Sequence, residues 1–378
     1  MRRLCRMSGN SEYKIRKLDR SEHTRTRALW ESVFIEDTEA FLDYYYDEKV
    51  KNNVIYAAER DGQLCAMLHL NPYWIMVGDE KVQSFYIVAV ATLPGHRHKG
   101  LMRGLLGKSM LDMEKESVPF TFLMPAAEAI YYPFGFRFFY KQTQKDLKFQ
   151  NHSEENLEIW EADPSMCKEM AKFAGEILKL NYRVYAQRTE EYYQTMLKEQ
   201  KSQNGGIYCV KDGGELRGVF CYTKENKLEF REPLYVPGGE EILKNLIPKG
   251  ETVRVIGMQK EEKDGRPMIM GRIVNLERFL NLLGVKEDFS ARIWFRDSFI
   301  EENEGVYVLE GRKGRLYAKK LRDAERKPVE MLGVETFFSV VTGYLCVEEI
   351  DEKEITEKGE EVLSKISVFG PSFLNEVV

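Results

Sequence analysis

The apolar positions of this chain change their period several times, and each change marks an element. Between Val54 and Thr92 they alternate or run in short stretches rich in β-branched residues. Arg60-Asp61-Gly62 and Gly78-Asp79-Glu80 interrupt them. This pattern predicts an antiparallel meander with strands at Val54 to Ala58, Gln63 to Leu70, Tyr73 to Val77 and Val82 to Thr92. Beyond it the period lengthens. Met102, Leu106, Met110 and Met113 recur at helical spacing, so Leu101 to about Lys115 is predicted as a helix. Pro119 to Met124 is an apolar strand. Upstream, Lys14 to about Glu48 reads as strand, helix, loop, helix. It is crowded with Trp30, Phe34, Phe41, Tyr44, Tyr45 and Tyr46. Those rings fit a packed helical face; the alternative is that some line a pocket.

From about Leu157 the pattern restarts. Met166, Met170, Phe173 and Ile177 mark a helix, and Gly206 to Tyr222 reads as a hairpin turning at Asp212-Gly213-Gly214. Ile55, Tyr56, Gly62 and Leu64 recur at a constant offset as Ile207, Tyr208, Gly214 and Leu216, which suggests a duplicated domain. Gly265 to Asn275 is a candidate boundary. After it come a helix at Glu277 to Leu283 and strands at Ala291 to Arg296, Gly305 to Glu310 and Arg315 to Lys320. Helical stretches follow at Phe337 to Tyr344 and Glu360 to Val368. The expected division is 12–150, 151–275 and 276–378. The chain then runs apolar to Val378, where a terminus is normally polar and frayed, so its end is expected to be docked.

With 378 residues, two or three domains are expected. A net charge of −5 argues against a general nucleic-acid binder and mildly favours a cationic small substrate. The six cysteines form no C-x-x-C pair and have no histidine at metal spacing, so no metal is expected. They read as reduced thiols of a cytoplasmic protein. No apolar run is long enough to span a membrane. The start, MRRLCRMSGN, is basic and lacks the apolar core of a signal peptide. It reads as a short arm, and Met7 is an alternative start.

The candidate chemistry sits between Ile87 and Tyr140. A β-branched strand ends at Leu93-Pro94-Gly95 and is followed by His96-Arg97-His98-Lys99-Gly100 and the predicted helix. The first turn of a helix has unpaired N–H groups and a partial positive charge, which together bind phosphates. Gly100 would let a pyrophosphate approach the backbone, and Arg97, Lys99 and Arg103 add charge. The competing reading is an ordinary solvated basic turn.

Arg97-x-x-Gly100-x-Met102 resembles the acyl-CoA pyrophosphate loop of GNAT acetyltransferases, with Met102 where a small residue is usual. The longer string is Pro94-x-His96-Arg97-x-x-Gly100-Leu101-x-Arg103 followed by Ile130-Tyr131-x-x-Phe134-Gly135-Phe136. It resembles the enhanced intracellular survival (Eis) family of N-acetyltransferases. The resemblance implies an α+β chain: tandem GNAT domains, each a mixed sheet flanked by helices, then a sterol-carrier-protein-like domain. It implies acetyl-CoA as cosubstrate, a small polyamine-like, aminoglycoside-like or lysine amine as acceptor, and a homo-oligomer, a hexamer in that family.

Residue roles follow from the same resemblance. Arg97, His98, Lys99, Gly100, Leu101, Met102 and Arg103 would hold the cofactor. Backbone N–H groups at Val90, Ala91 and Thr92 would polarise the thioester where the strand splays. Tyr131 matches the motif's catalytic acid, with Tyr132 as competitor. A phenol near pKa 10 is protonated at neutral pH and can give a proton to a thiolate. The family's base is the C-terminal carboxylate, here that of Val378, with Glu376 as the alternative carboxylate. The second copy has no Arg-x-x-Gly loop, and Glu240 and Glu241 stand at the entrance of its short helix. It is therefore expected to be structural or a wall for the acceptor. Two other classes compete: a lipid or sterol-type carrier working through 285–378, and a non-catalytic acyl-CoA sensor. The intact loop and Tyr131 argue against the first; turnover separates the second.

Overall fold

The structure is a computed structural model. It describes residues 13–151, 157–225, 227–259, 265–321, 330–350 and 355–376. The first strands are β1 (Lys14–Lys17), β2 (Val54–Arg60), β3 (Gln63–Val77), β4 (Glu80–Thr92), β5 (Phe120–Leu123) and β6 (Arg137–Gln142). With them come helices α1 (Arg27–Val33), α2 (Glu39–Tyr44), α3 (Leu101–Lys115) and α4 (Glu128–Tyr131). β1 to β4 form an antiparallel meander, and β4 then pairs in parallel with β5. The period-2 alternation of β2 sorts its side chains between two layers. Tyr56 and Ala58 pack with Leu101, Leu105, Leu106, Met110 and Met113 of α3. Ile55 and Ala57 pack with Trp30, Phe41, Leu42 and Tyr45 of α1, α2 and the following turn. The N-terminal aromatics are therefore mostly core.

β3 is one strand where the pattern predicts two. β2 pairs with β3 as far as Leu70, and the next neighbour on that edge begins at Ile75. Pro72 lies in the gap, where a strand edge tolerates a missing N–H.

The middle of the chain supplies β7 (Gln144–Lys148), β8 (Glu158–Glu161), β9 (Val184–Ala186), β10 (Gly206–Asp212), β11 (Glu215–Thr223), β12 (Glu229–Tyr235) and β13 (Thr252–Ile256). Its helices are α5 (Cys167–Asn181), α6 (Glu190–Ser202) and α7 (Leu243–Leu246). A second sheet runs β7-β13-β12-β11-β10-β8, with β12 and β13 parallel. The repeated hairpin predicted from Gly206 to Tyr222 is β10–β11.

The sheets do not follow the linear division of the chain. β14 (Arg266–Ile273) inserts between β5 and β6, antiparallel to both, and completes the first sheet. β7 leaves the first segment and becomes an edge of the second sheet, against β13. The two sheets thus exchange strands. Gly265 to Asn275, expected as a boundary, is instead a buried central strand with Ile269, Met270 and Ile273 in the core. β9 likewise crosses over, extending β3 beyond Ile75.

The last part holds β15 (Phe289–Arg296), β16 (Gly305–Arg312), β17 (Arg315–Lys320), β18 (Glu330–Gly333) and β19 (Ser372–Phe373). Helices α8 (Leu276–Leu280), α9 (Val334–Val341) and α10 (Glu357–Lys365) accompany them. A third sheet runs β17-β16-β15-β18. β19 returns to pair in parallel with β9, and Phe373, Leu374, Asn375 and Glu376 are all buried. The chain is docked as far as it is described. Val378, the base implied by the resemblance, lies outside the described residues.

Candidate functional site

Gly100 begins α3 in the left-handed region at φ 75°, with His98 at φ 60° before it. Glycine takes that conformation without the strain a Cβ would bring. The loop is braced by its own side chains. Lys99 Nζ donates to the Gly95 carbonyl at 3.1 Å and to the Tyr13 hydroxyl at 3.2 Å. Tyr13 also meets His96 Nδ1 at 2.7 Å, and Arg97 Nε donates to the Thr92 carbonyl at 3.3 Å. Arg97, His98, Lys99 and Gly100 are exposed, while Leu101 is buried and anchors the helix start; Met102 is half-buried. Arg103 sits over the rings of Phe134 and Phe299, 5.6 and 5.3 Å from their centroids, so it ties α3 to the Tyr131 segment.

β4 and β5 are paired only at Phe85/Thr121 and Tyr86/Phe122. From Ile87 to Thr92, β4 continues against β3 alone, so its other edge is open among the described residues. A β-bulge at Ala89 (φ 52°) opens it further, since Val88 and Ala91 pair with His69 and Met67. The bulge also switches faces. Phe85 and Ile87 pack on the α3 side, whereas Ala89 and Ala91 pack on the α1–α2 side. Val90, Ala91 and Thr92 thus lie on a splayed edge that leads from the Gly100 loop to Tyr86.

Tyr131 ends α4 and is buried, edge-on to Phe136 at 5.8 Å. Burial pushes its phenol up to about 12. Tyr132 is 48% exposed and carries the Arg137 guanidinium 3.5 Å from its ring centroid. The two tyrosines that the sequence leaves in competition therefore face different surroundings. Tyr86, the last residue of β4 paired with β5, has its phenol raised by burial first, then by Tyr73, Tyr131 and Glu376. Its neighbour Phe85 shares a core cluster with Tyr131 and also lines a cavity.

That cavity has a volume of about 580 Å³ and is lined in part by Lys49, Tyr73, Phe85, Glu199, Glu232 and Glu376. Lys49 Nζ donates to the Tyr73 hydroxyl at 2.9 Å, and the Tyr44 hydroxyl donates to Glu199 at 2.7 Å. One buried guanidinium, Arg188, lies 2.8 Å from a carboxylate oxygen of Glu232 and 2.8 Å from one of Glu376. It also stacks over Tyr192 at 4.3 Å. Burial raises the Glu232 carboxyl to about 8; Arg188 opposes this and Glu376 adds to it. Burial lowers the Lys49 ammonium against the pull of Glu199, Glu376 and Glu232. Of the charged residues here the sequence pointed only to Glu376. Arg188 and Glu232 are far apart in the chain and carry no motif. The one available signal was the repeat itself, which places Glu232 in the copy without a phosphate loop.

Residues 14–139 match the family model of an acetyltransferase (GNAT) domain. No curated protein matches the chain. Several solved structures share its fold along nearly its whole length. A probable N-acyltransferase from Enterococcus faecalis V583 superposes with a TM-score of 0.83 at 16% identity, covering 97% of this chain and 100% of that one. A GCN5-related N-acetyltransferase from Anabaena variabilis ATCC 29413 gives 0.77 at 15% identity, with 94% and 97% covered. Eis1 from Mycobacterium abscessus gives 0.69 at 12% identity, again with 94% and 97% covered. The domain match supports acetyltransferase activity, and GNAT domains use acetyl-CoA as cosubstrate; the solved structures show the shared fold. No helix among the described residues is long and apolar enough to cross a membrane.

Proposed function

We propose that the chain transfers acetyl from acetyl-CoA to the primary amine of a small acceptor held in the Tyr73–Glu376 cavity. The observation that carries this reading is the splayed edge of β4. It joins the Gly100 loop at one end to Tyr86 at the other, where Phe85 lines the cavity and shares a core cluster with Tyr131. In this reading Arg97, His98, Lys99, Gly100, Leu101, Met102 and Arg103 take the pyrophosphate end of the cosubstrate. The backbone of Val90, Ala91 and Thr92 takes the thioester arm, as an edge accepts an added strand. N–H groups on an unpaired edge are fixed donors for the carbonyl oxygen as it gains charge. Tyr131, protonated throughout the neutral range, gives its proton to the departing thiolate.

The acidic lining fits a cationic acceptor of the polyamine, aminoglycoside or lysine kind. The second sheet repeats the parallel β4–β5 arrangement at β12–β13 without a basic loop, which supports a degenerate second GNAT domain. The third sheet with α9 and α10 fits the sterol-carrier-protein-like domain of the resemblance. A hexamer, also implied by the resemblance, is checked by light scattering.

The test is thiol release from acetyl-CoA across a panel of amines, with Tyr131→Phe as control. Release that depends on an amine and on Tyr131 supports the reading. Tight acetyl-CoA binding with no turnover on any amine rejects it.

A further inference from the structure

The second sheet repeats the first in a detail its sequence conceals. β4 bulges at Ala89 (φ 52°) just past its parallel contact with β5. β12 bulges at Glu232 (φ 49°) just past its parallel contact with β13, because Cys221 and Val219 of β11 pair with Arg231 and Leu234. A left-handed backbone is a strained setting for a residue with a Cβ, and such strain tends to persist where a side chain has a task. In the first sheet the bulge carries an alanine. In the second it carries a glutamate, its side chain 13% exposed, that lines the cavity.

We infer that Glu232, held on Arg188 beside Glu376, binds the ammonium of the acceptor and takes its proton before acyl transfer, so that the second sheet supplies a residue to the reaction. This rests on the acetyltransfer reading above and deepens it.

Three observations carry it. The first is charge. The cluster sets Glu199, Glu232 and Glu376 against Arg188 and Lys49, which leaves one negative charge in surplus when all are ionised. A bound ammonium cancels it. The second is unfilled hydrogen bonding. Gln187 Oε1 and both carboxylate oxygens of Glu376 line the cavity as unpartnered acceptors, the contact of Glu376 with Arg188 being an ion pair without hydrogen-bond geometry. Buried polar groups left open in this way call for a polar ligand. The third is basicity. The groups acting on Glu232 are Arg188 ahead of α6, Glu199 on α6, and Glu376 after β19. Glu232 in turn acts on Tyr193 of α6, Cys221 of β11, Tyr73 of β3, Tyr140 of β6 and Lys49 after α2. Desolvation dominates, and a carboxyl raised to about 8 is matched to accepting protons near neutrality.

The step balances. The ammonium gives one proton to the Glu232 carboxylate, and the freed nitrogen lone pair attacks the thioester carbon. The C–N bond forms and the C–S bond breaks, with its electron pair leaving on sulfur. The thiolate takes a proton from Tyr131, which regains one from the nitrogen, and the proton on Glu232 returns to solvent. Ammonium and thioester become amide, thiol and one free proton.

The test uses the full chain and cadaverine as probe. Calorimetric titration at pH 7 in two buffers of different ionisation enthalpy counts protons. The wild type should release about one proton per cadaverine bound, as the ammonium displaces the proton on the Glu232 carboxyl, and Glu232→Gln should release almost none. Turnover is then compared across pH. Glu232→Gln should lower kcat/KM by roughly 10²–10³-fold at pH 7. It should recover most of that at about pH 10, where much of the amine is already neutral in solution. Glu232→Asp should restore part of the rate at pH 7. Melting and acetyl-CoA binding establish that each variant is folded.

Equal proton release by wild type and Glu232→Gln overturns the inference. So does a rate loss that is uniform in pH, which a merely structural residue would give. Failure of cadaverine to bind the wild type at millimolar concentration overturns it too. A wild type that binds cadaverine with proton release and turns over no amine rejects the acetyltransfer reading, while the proton count still establishes the ammonium site.

Discussion

A Cβ placed on Gly135 would lie 1.6 Å from Nη1 of Arg272. Gly135 follows the Tyr131 segment in the left-handed region at φ 78°, and Arg272 comes from β14, the strand that enters from beyond the second sheet. Arg272 is fully buried and forms an ion pair with Asp297, also fully buried, in the loop after β15. Asp297 in turn accepts from the backbone N–H groups of Phe299 and Ile300, at 2.9 Å each, and from Asn303 Nδ2 at 2.9 Å. The turn that carries the candidate acid is therefore seated on a guanidinium that the last part of the chain holds still. Gly135→Ala should destabilise the fold by about 1–3 kcal/mol from the backbone alone. The clash should displace Tyr131 as well, so turnover should fall more than acetyl-CoA binding. Urea unfolding and a cofactor titration on the same variant check both.

Arg272→Met should be worse than loss of a surface pair. It leaves Asp297 buried and without its cation, which typically costs about 3–5 kcal/mol. Asp297→Asn should cost less, and the double variant less than the sum of the two. Denaturant midpoints for the three proteins decide this; additive losses would mean that the two residues act independently.

Tyr131→Phe should reduce kcat by roughly 10²–10⁴-fold while leaving acetyl-CoA affinity unchanged. Because burial holds the phenol up to about 12, its ionisation should produce no alkaline limb in the rate profile below pH 10. Tyr132→Phe should change little, its ring being half exposed beneath Arg137. Steady-state rates from pH 6 to 10 for both variants test the assignment.

Arg97→Ala and Gly100→Asp should each weaken acetyl-CoA binding. Loss of a charge-assisted phosphate contact is worth about 1.5–3 kcal/mol, or roughly ten- to a hundredfold in Kd. Gly100→Asp adds a like charge and a Cβ at φ 75°. Titration at two salt concentrations should show the Arg97 effect shrinking as salt rises.

The contribution of Glu232 to stability should decline as pH rises from about 4.5 to about 8, against the opposite slope of the buried His69 below about 6.5. Glu232 binds its proton more tightly when folded, at about 8, than an ordinary carboxyl does at 4.5. Over that window the folded state therefore holds more protons than the unfolded one, and raising the pH favours unfolding. Glu232→Gln should flatten this part of the curve. Urea midpoints at pH 5, 6.5 and 8 measure the slope.

Local signals in the sequence located much of the first sheet. α3 runs from Leu101 to Lys115, as the Met102–Leu106–Met110–Met113 spacing predicts, and β4 ends at Thr92, as the turn chemistry predicts. The helices predicted near Phe337 and Glu360 lie about three residues earlier, where β18 and the Thr356 cap fix their starts. The misread parts depend on distant partners. A short apolar run such as Met268 to Ile273 has the same pattern whether it is a linker or a central strand. Only its pairing with Phe120–Leu123 and Arg137–Gln142 decides. The bulge at Ala89 has no glycine to announce it. Arg188, Glu232 and Glu376 meet through the β9–β19 pairing and the exchange of strands, neither of which leaves a periodic trace.

The exchange of β7 and β14 also bears on how the protein is made. As the chain leaves the ribosome, the facing edges of β5 and β6 have no strand between them until residue 273 has emerged. β7 has to wait for β13 in the same way. Neither half can close its sheet alone, so nascent chains that stall before β14 carry open, apolar edges of the sort that chaperones bind and that aggregate when crowded. The Tyr131 segment reaches its seat on Arg272 only after that wait. An acetyltransferase built this way becomes active late and as one unit, and a fragment cut at the end of its first domain should be insoluble rather than merely slow.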